Sequence, residues 1–249
     1  MSAAHDIIYG IHATRLVLEH APDSVLEIWI QDNKRSSGSI TQLTDMTGTI
    51  PVQYVSKNTL DKLAQYGRHQ GIVMRKRRSQ AVIHDLDDLV RASENTLPLF
   101  LVLDGIQDPH NLGACIRTAD AAGVQAVILP RNRAAGISPV VSKVACGAVE
   151  NVPLVQVTNL ARALQELQAA GIWIIGATES AENSIYEIDL DRPLALVMGA
   201  EGKGLGQNIR RHCDILVNIP MAGIVESLNV SVATGICLFE AVRQRLKSP

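Results

Sequence analysis

A chain of 249 residues, 47% hydrophobic with a mean hydropathy of +0.12, is long enough for one large domain or two modest, well-cored ones. Its net charge of −2 excludes a generally basic nucleic-acid-binding surface, and 3% aromatic residues exclude an extended base-stacking platform. Any RNA footprint has to be local. Cys115, Cys146, Cys213 and Cys237 form no C-x-x-C pair and lie in apolar or helical contexts, which predicts buried, reduced thiols and no metal site. The opening MSAAHDIIYG lacks a leader's basic and apolar regions, and no apolar run reaches membrane-spanning length, so the expectation is a soluble cytoplasmic protein.

In chain order, residues 1–78 read as a small α/β domain. Ile11–His20 is predicted as a helix, Leu26–Ile30 and Val52–Val55 as strands, and Gln70–Met74 as a closing strand; Asn58 is a candidate cap for a helix through Leu60, Leu63 and Ala64. Arg75-Lys76-Arg77-Arg78 is the densest charge run, either an electrostatic track for an RNA backbone or a solvated linker. Residues 79–97, with a short acidic helix over His84–Ala92, read as the linker. From Pro98 to the end at 249, six short apolar runs rich in β-branched residues alternate with helices. The runs are Leu99–Leu103, Ala126–Leu129, Leu154–Val157, Ile172–Ala177, Leu194–Met198 and Ile215–Ile219. The helices are Leu112–Ala122, Leu160–Ala169 and Leu228–Leu246. Continuous apolar strands between helices imply a parallel sheet covered on both faces, with ligands bound beyond the strands' carboxyl ends.

Three tracts stand where strands meet helices: DPHNLGACIRTADAAGV (Asp108–Val124), LVMGAEGKGLG (Leu196–Gly206) and IPMAGIVESLNVSVATGICLFEAVRQR (Ile219–Arg245). Together they suggest one composite site. In the first, Asn111 is a candidate helix cap, and Gly113 stands one helical turn before Arg117, leaving room for a bulky ligand beside a guanidinium suited to phosphate. The alternative is a capped helix with a surface arginine. The second fits neither G-x-x-x-x-G-K-[ST] nor G-x-G-x-x-G, which disfavours a Walker ATPase and a Rossmann dehydrogenase. Its carboxylate, Glu201, is placed to accept a hydrogen bond from a ribose hydroxyl or from Arg117. In the third, Ser227 is a candidate helix cap, and Asn229 is a poorer helix former than its surroundings need.

These tracts, together with IYGIHA, ADAAGV, KVACGA, VTNLAR and ALVMGAEG, resemble the SpoU branch of the SPOUT RNA methyltransferases over nearly the whole chain. The resemblance implies an α/β fold whose C-terminal parallel-sheet domain carries a deep trefoil knot, an N-terminal RNA-binding domain, and a homodimer. It implies S-adenosylmethionine as methyl donor and 23S rRNA as substrate, methylated on a guanosine 2′-hydroxyl in the peptidyl-transferase loop that pairs with P-site tRNA. Neither DNA, membrane nor metal is implied. Gly199, Glu201, Gly202, Ile219, Met221, Leu228 and Asn229 match donor-holding positions. Arg117, Asn111, Glu201, Ser227 and Asn229 match the polar catalytic set, with Asn111 and Glu201 steadying Arg117. Ile224 departs from the family pattern, where a small polar residue is usual. A methylase acting on another RNA ribose, or a non-catalytic assembly protein of the same fold, are the other readings.

Overall fold

A computed structural model describes residues 5–35, 37–77, 85–93, 96–132, 134–202, 204–225 and 227–246. The chain divides into two compact units, 1–80 and 81–249. Among the described residues no helix is long and apolar enough to cross a membrane.

The first unit runs β1 (His5–Tyr9), α1 (Ile11–His20), β2 (Val25–Gln31), α2 (Gly38–Asp45), β3 (Val52–Val55), α3 (Lys57–Leu63) and β4 (Ile72–Arg77). Its sheet has the order β1-β4-β2-β3; β4 lies antiparallel to both β1 and β2, and β2 pairs with β3 in parallel. Side chains alternate across a strand, so one sheet buries two sets of residues. Ile28, Ile30, Ile72 and Met74 pack with Leu18, Ile40 and Leu43 under α1 and α2. Trp29 and Val73 pack with Leu60 and Ala64 of α3 on the opposite face.

Three expectations for this unit are corrected. Ser56, not Asn58, caps α3, its hydroxyl accepting from the Thr59 N–H. Gln70 lies outside β4 in a turn with φ +57°. The charge run is neither a bare RNA track nor a linker: β4 extends through Arg77, Lys76 is buried, and Arg75 pairs with Glu27 beside the Trp29 ring. Arg78 lies outside the described residues, as does His84 of the acidic-helix expectation.

The second unit opens with α4 (Leu86–Ala92), capped by Asp85, and Leu86 belongs to this unit's core although it falls in the stretch 79–97. There follow β5 (Leu99–Asp104), α5 (Pro109–Ala121), β6 (Ala126–Pro130), α6 (Pro139–Ala145), α7 (Ala148–Asn151), β7 (Leu154–Val157) and α8 (Leu160–Ala169). The chain continues through β8 (Trp173–Ala177), β9 (Asn183–Ser184), β10 (Leu194–Gly199), α9 (Gln207–Arg210) and β11 (Ile215–Asn218) to α10 (Val230–Arg245). The seven strands are ordered β7-β6-β5-β10-β8-β11-β9, every pair parallel.

Burial on both faces follows from the continuous apolar strands. Leu99, Leu101 and Leu103 of β5, with Leu196 and Met198 of β10, face α5, α6 and α10. Phe100 and Val102, with Ala195 and Val197, face α4, α8 and α9. Arg245 ends α10 by donating to the carbonyls of Leu97, Pro98 and Arg192 at 2.8–3.0 Å. This pins the helix's far end beneath the sheet and fixes where its first turn lies.

Candidate active site

Gly199 ends β10 directly opposite Asp104, the last residue of β5. From this central pair the chain leaves in opposite directions: β5 leads through α5 to β6, and β10 through α9 to β11 on the far side. Such a divergence opens a crevice beyond the strand ends.

The loop after Gly199 folds back on itself. The Gly204 N–H donates to the Ala200 carbonyl at 2.8 Å, and Gly202 and Gly204 have φ of +71° and +61°. A Cβ on Gly199 would stand 2.2 Å from the Gly204 carbonyl carbon and 2.4 Å from its oxygen. The glycines therefore let the loop close on its own backbone. The Asp104 carboxylate then fastens it, accepting from the Gly206 N–H at 2.8 Å.

Asn229 joins the three tracts. Its side-chain N–H₂ donates to Asn111 Oδ1 at 3.1 Å and to Glu201 Oε1 at 2.6 Å, spanning 118 and 28 residues of sequence. Its Oδ1 accepts from the backbone N–H of Ser231 at 2.9 Å and from the Ser231 hydroxyl at 2.6 Å. Asn229 is thus the cap of α10, and the expected cap, Ser227, lies exposed two residues earlier. The helical N–H of Ser231 is taken by Asn229 Oδ1 instead. Asn111 is likewise not a cap. The Asp108 carboxylate accepts from the His110 N–H and Pro109 takes the first helical position, which places Asn111 inside α5, buried, with its amide oxygen on Asn229.

Close packing of α10 on α5 makes this alignment possible. Cys115 and Thr234 lie 3.6 Å apart, and a Cβ on Gly235 would sit 3.6 Å from the Thr118 methyl. Between β11 and α10, residues 219–225 and 227–228 take no regular structure, and Asn229 gives its carbonyl to the Ala233 N–H of α10. Ile219 and Leu228 are half-buried, while Met221, Ile224 and Val225 are exposed, Ile224 completely. Glu226 lies outside the described residues, as does Lys203 of the glycine loop.

Arg117 takes another direction. It is exposed, and its Nη1 donates to Cys146 Sγ at 3.5 Å. Among the described residues no hydrogen bond joins it to Asn111 or Glu201, so the expectation that these two steady it is not met within one chain. Six residues past Asn111, it stands about 9 Å farther along α5 and on a different helix face. Gly113 leaves no ligand space beside it either. A Cβ there would meet the Val141 carbonyl oxygen and Val144 Cβ at 2.8 Å, so that room belongs to α6.

The cysteines divide in an unexpected way. All four are free, but Cys146 is exposed, at φ +53° between α6 and α7. Burial pushes the Cys115 thiol up to about 11 and those of Cys213 and Cys237 up to about 12. A thiol reagent at pH 8 is therefore expected to modify Cys146 alone in the native protein and all four after denaturation. Peptide mapping after a short exposure checks this. Because these three pKa values are raised on folding, their contribution to stability is complete below about pH 9 and is lost as the pH climbs towards the folded values. An alkaline melting series should show that decline.

The glycine loop with Glu201, the Asn229–Asn111 contact and α10 as far as Phe239 lie together within residues 98–239, which match the SpoU rRNA Methylase family model. The chain belongs to the SpoU rRNA methylase family. Residues 7–81 match a second model, RNA 2′-O ribose methyltransferase substrate binding. A SpoU relative from Shewanella oneidensis, named 23S rRNA (guanosine-2′-O-)-methyltransferase RlmB, is 52% identical over 96% of this chain and 98% of its own. The same-named protein of Haemophilus influenzae is 50% identical over 97% and 98%. The SpoU methyltransferase AviRb from Streptomyces viridochromogenes, solved with AdoMet, aligns at TM-score 0.75 and 26% identity over 99% of this chain and 92% of that one.

Of the SpoU-type positions expected from sequence, the structure gathers Asn111, Gly199, Glu201 and Asn229 into one cluster, with Gly202 in its loop. Asp104 and Ser231 were missed. Asp104 carries a signal, an acidic residue ending a buried strand; Ser231 carries only the weak one of a hydroxyl two residues past an asparagine.

Proposed function

We propose that this chain transfers a methyl group from S-adenosylmethionine to the 2′-hydroxyl of a guanosine in 23S rRNA, the P-loop guanosine of the peptidyl-transferase centre. The observation that carries the reading is Asn229, bonded to both Asn111 and Glu201, together with near full-length likeness to enzymes named for this reaction. The crevice suits the donor. Its floor is the glycine loop that follows Gly199, its wall the irregular residues 219–225 and 227–228 with their exposed apolar side chains, and Glu201 adds a carboxylate for a sulfonium cation. Gly199, Gly202, Ile219, Met221 and Leu228 would hold it. When bound, the donor supplies an electrophilic methyl on a good leaving group.

This chain's own residues then do three things. Asn229 locks the first turn of α10 to the glycine loop, so the wall and floor keep one geometry. Arg117 clamps the phosphate beside the target ribose through its planar fork and sets the 2′-oxygen in line with the methyl carbon. With the donor bound, the oriented 2′-oxygen would take its methyl group, and the hydroxyl proton would pass to the phosphate that Arg117 clamps or to water.

Two structural elements of the family belong to this proposal. The segment from β11 into α10 threads a loop as a trefoil knot, a reading supported by the packing of α10 against α5 and β10 and by the tie from Asn229 to the 199–206 loop. The protein works as a homodimer in which Arg117 serves the partner's donor site. Supporting this are Arg117's distance from Asn111 in one chain and the exposed stripe of Val232 and Phe239 on α10 with Leu246 at its C-cap, spaced by seven. Residues 1–78 act as the RNA-binding domain and 98–249 as the methyltransferase, with α4 of the stretch 79–97 packed into the methyltransferase core through Leu86.

The test is direct. Incubation of the full chain with labelled donor and unmodified 23S rRNA transcript should place the label in 2′-O-methylguanosine after digestion to nucleosides. Label in another RNA's ribose would move the substrate. No donor uptake by calorimetry would leave a non-catalytic RNA-binding protein.

A further inference from the structure

Within the first unit a polar cavity of about 250 Å³ is lined by Gln31, Lys34, Lys57, Asp61, Arg68, His69 and Gln70, among others. One wall is the turn between α3 and β4, and that turn is unusual. Of the four non-glycine residues with positive φ among those described, three lie in it: Gln65 at +49°, Tyr66 at +62° and Gln70 at +57°. Each such residue is disfavoured for an L-amino acid and persists only where its surroundings overrule it.

Here the surroundings are visible. The Tyr66 N–H donates to the Asp61 carbonyl at 2.7 Å. His69, 6% exposed, contacts Asp61 Oδ1 through Nε2 at 3.0 Å and accepts the Gly71 N–H at Nδ1, an arrangement that puts the proton on Nε2. Gln70 Oε1 accepts the Ile11 N–H at 3.0 Å, which ties the turn to the IYGIHA segment. Lys34 Nζ donates to the Gln70 carbonyl at 3.1 Å. The turn is therefore braced from three directions, and what it presents outward is an exposed Arg68 and the ring of Tyr66, 81% exposed. An aromatic ring held outside any core on a braced, disfavoured backbone has no packing role.

Resting on the reading of this protein as an RNA methyltransferase, we infer that this cavity and turn form a recognition site for one unpaired nucleotide of the RNA substrate, distinct from the nucleotide that is methylated. Lys34, Lys57 and Arg68 receive the phosphate and the Tyr66 ring stacks on the base, while Gln70, tied to the Ile11 N–H, holds the turn that presents them. The chemistry is that of single-stranded RNA readout, a cationic rim beside an aromatic face. The overall charge of −2 leaves the affinity to local clusters of this kind.

Two variants of the full chain test the site. Tyr66→Gly removes the ring while glycine adopts φ +62° without strain, so the fold is kept. Lys57→Gln with Arg68→Gln removes two exposed charges. With 23S rRNA transcript as probe, Tyr66→Gly should raise KM for RNA about tenfold, within the range for loss of one stacked base, while kcat at saturating RNA and donor affinity stay unchanged. The charge variant should weaken RNA binding and lower the slope of log K against log salt by roughly 1 to 2. Wild-type methylation with both variants matching it in KM and salt slope would overturn the site alone. A wild-type chain that binds donor but methylates no RNA would instead overturn the functional reading, and the inference with it.

Discussion

Arg117→Ala should lower methyl transfer by roughly 10²–10³-fold, about 3–4 kcal/mol of transition-state stabilisation, the range for removing one fixed donor to developing charge. The loss should fall on kcat measured in single turnover, because the guanidinium acts on the reacting ribose and not on the donor. Donor affinity by calorimetry should hold. Stability should also hold, within about 0.5 kcal/mol, since the side chain is exposed and its hydrogen bond among the described residues is a 3.5 Å contact with Cys146 Sγ. Arg117→Lys restores the charge without the fork, so it should recover only part of the rate. Mixed dimers add a second arm. If Arg117 serves the partner's donor site, an Arg117→Ala chain paired with a chain unable to bind donor should retain one working site. Near-normal turnover by folded Arg117→Ala would remove the residue from the mechanism.

The sequence carried this architecture because strand and helix periodicities are local. Leu99–Asp104 alternates between two cores, and every strand of the second unit's sheet except β9, the polar pair Asn183–Ser184, was readable as a short apolar block. Caps were less readable. Asn111, Ser227 and Asn58 all have suitable side chains, but the first free N–H groups lie nearer Asp108, Asn229 and Ser56. Composition names the candidates, and only the entry angle of the chain selects among them.

The site was legible as a set of residues and not as a set of contacts. Asn229 stood out as a poor helix former, yet its bonds to Asn111 and Glu201 bridge 118 and 28 residues, a distance at which pattern says nothing. Gly113 shows the opposite error. A small residue one turn from an arginine reads as ligand space, whereas the space is taken by α6, whose approach depends on tertiary packing. Cys146 was hidden in the same way. The apolar residues around it suggested burial, but the left-handed backbone at the α6–α7 junction turns the thiol outward beside Arg117.

Gly199→Ala should cost more than any other single methyl added to this molecule's crevice. Overpacking a core commonly costs about 1–3 kcal/mol when neighbouring side chains can move. Here the added carbon meets backbone, 2.2 Å from Gly204 C and 2.4 Å from Leu205 N, and no rotamer relieves that. Either β10 gives up its register with β5 at Gly199–Asp104, or the loop swings away and breaks the Asp104–Gly206 bond. Both routes carry Glu201 off Asn229 and open the crevice floor. Donor affinity should fall at least about 100-fold, or 2.7 kcal/mol, with the melting temperature lowered as well. Gly136→Ala is the matched control. Nothing lies within 4 Å of its added carbon and its φ is not positive, so donor binding should stay at wild-type level and stability should hold or rise slightly. Wild-type donor affinity in Gly199→Ala would mean that the loop's closure on itself does not shape the pocket.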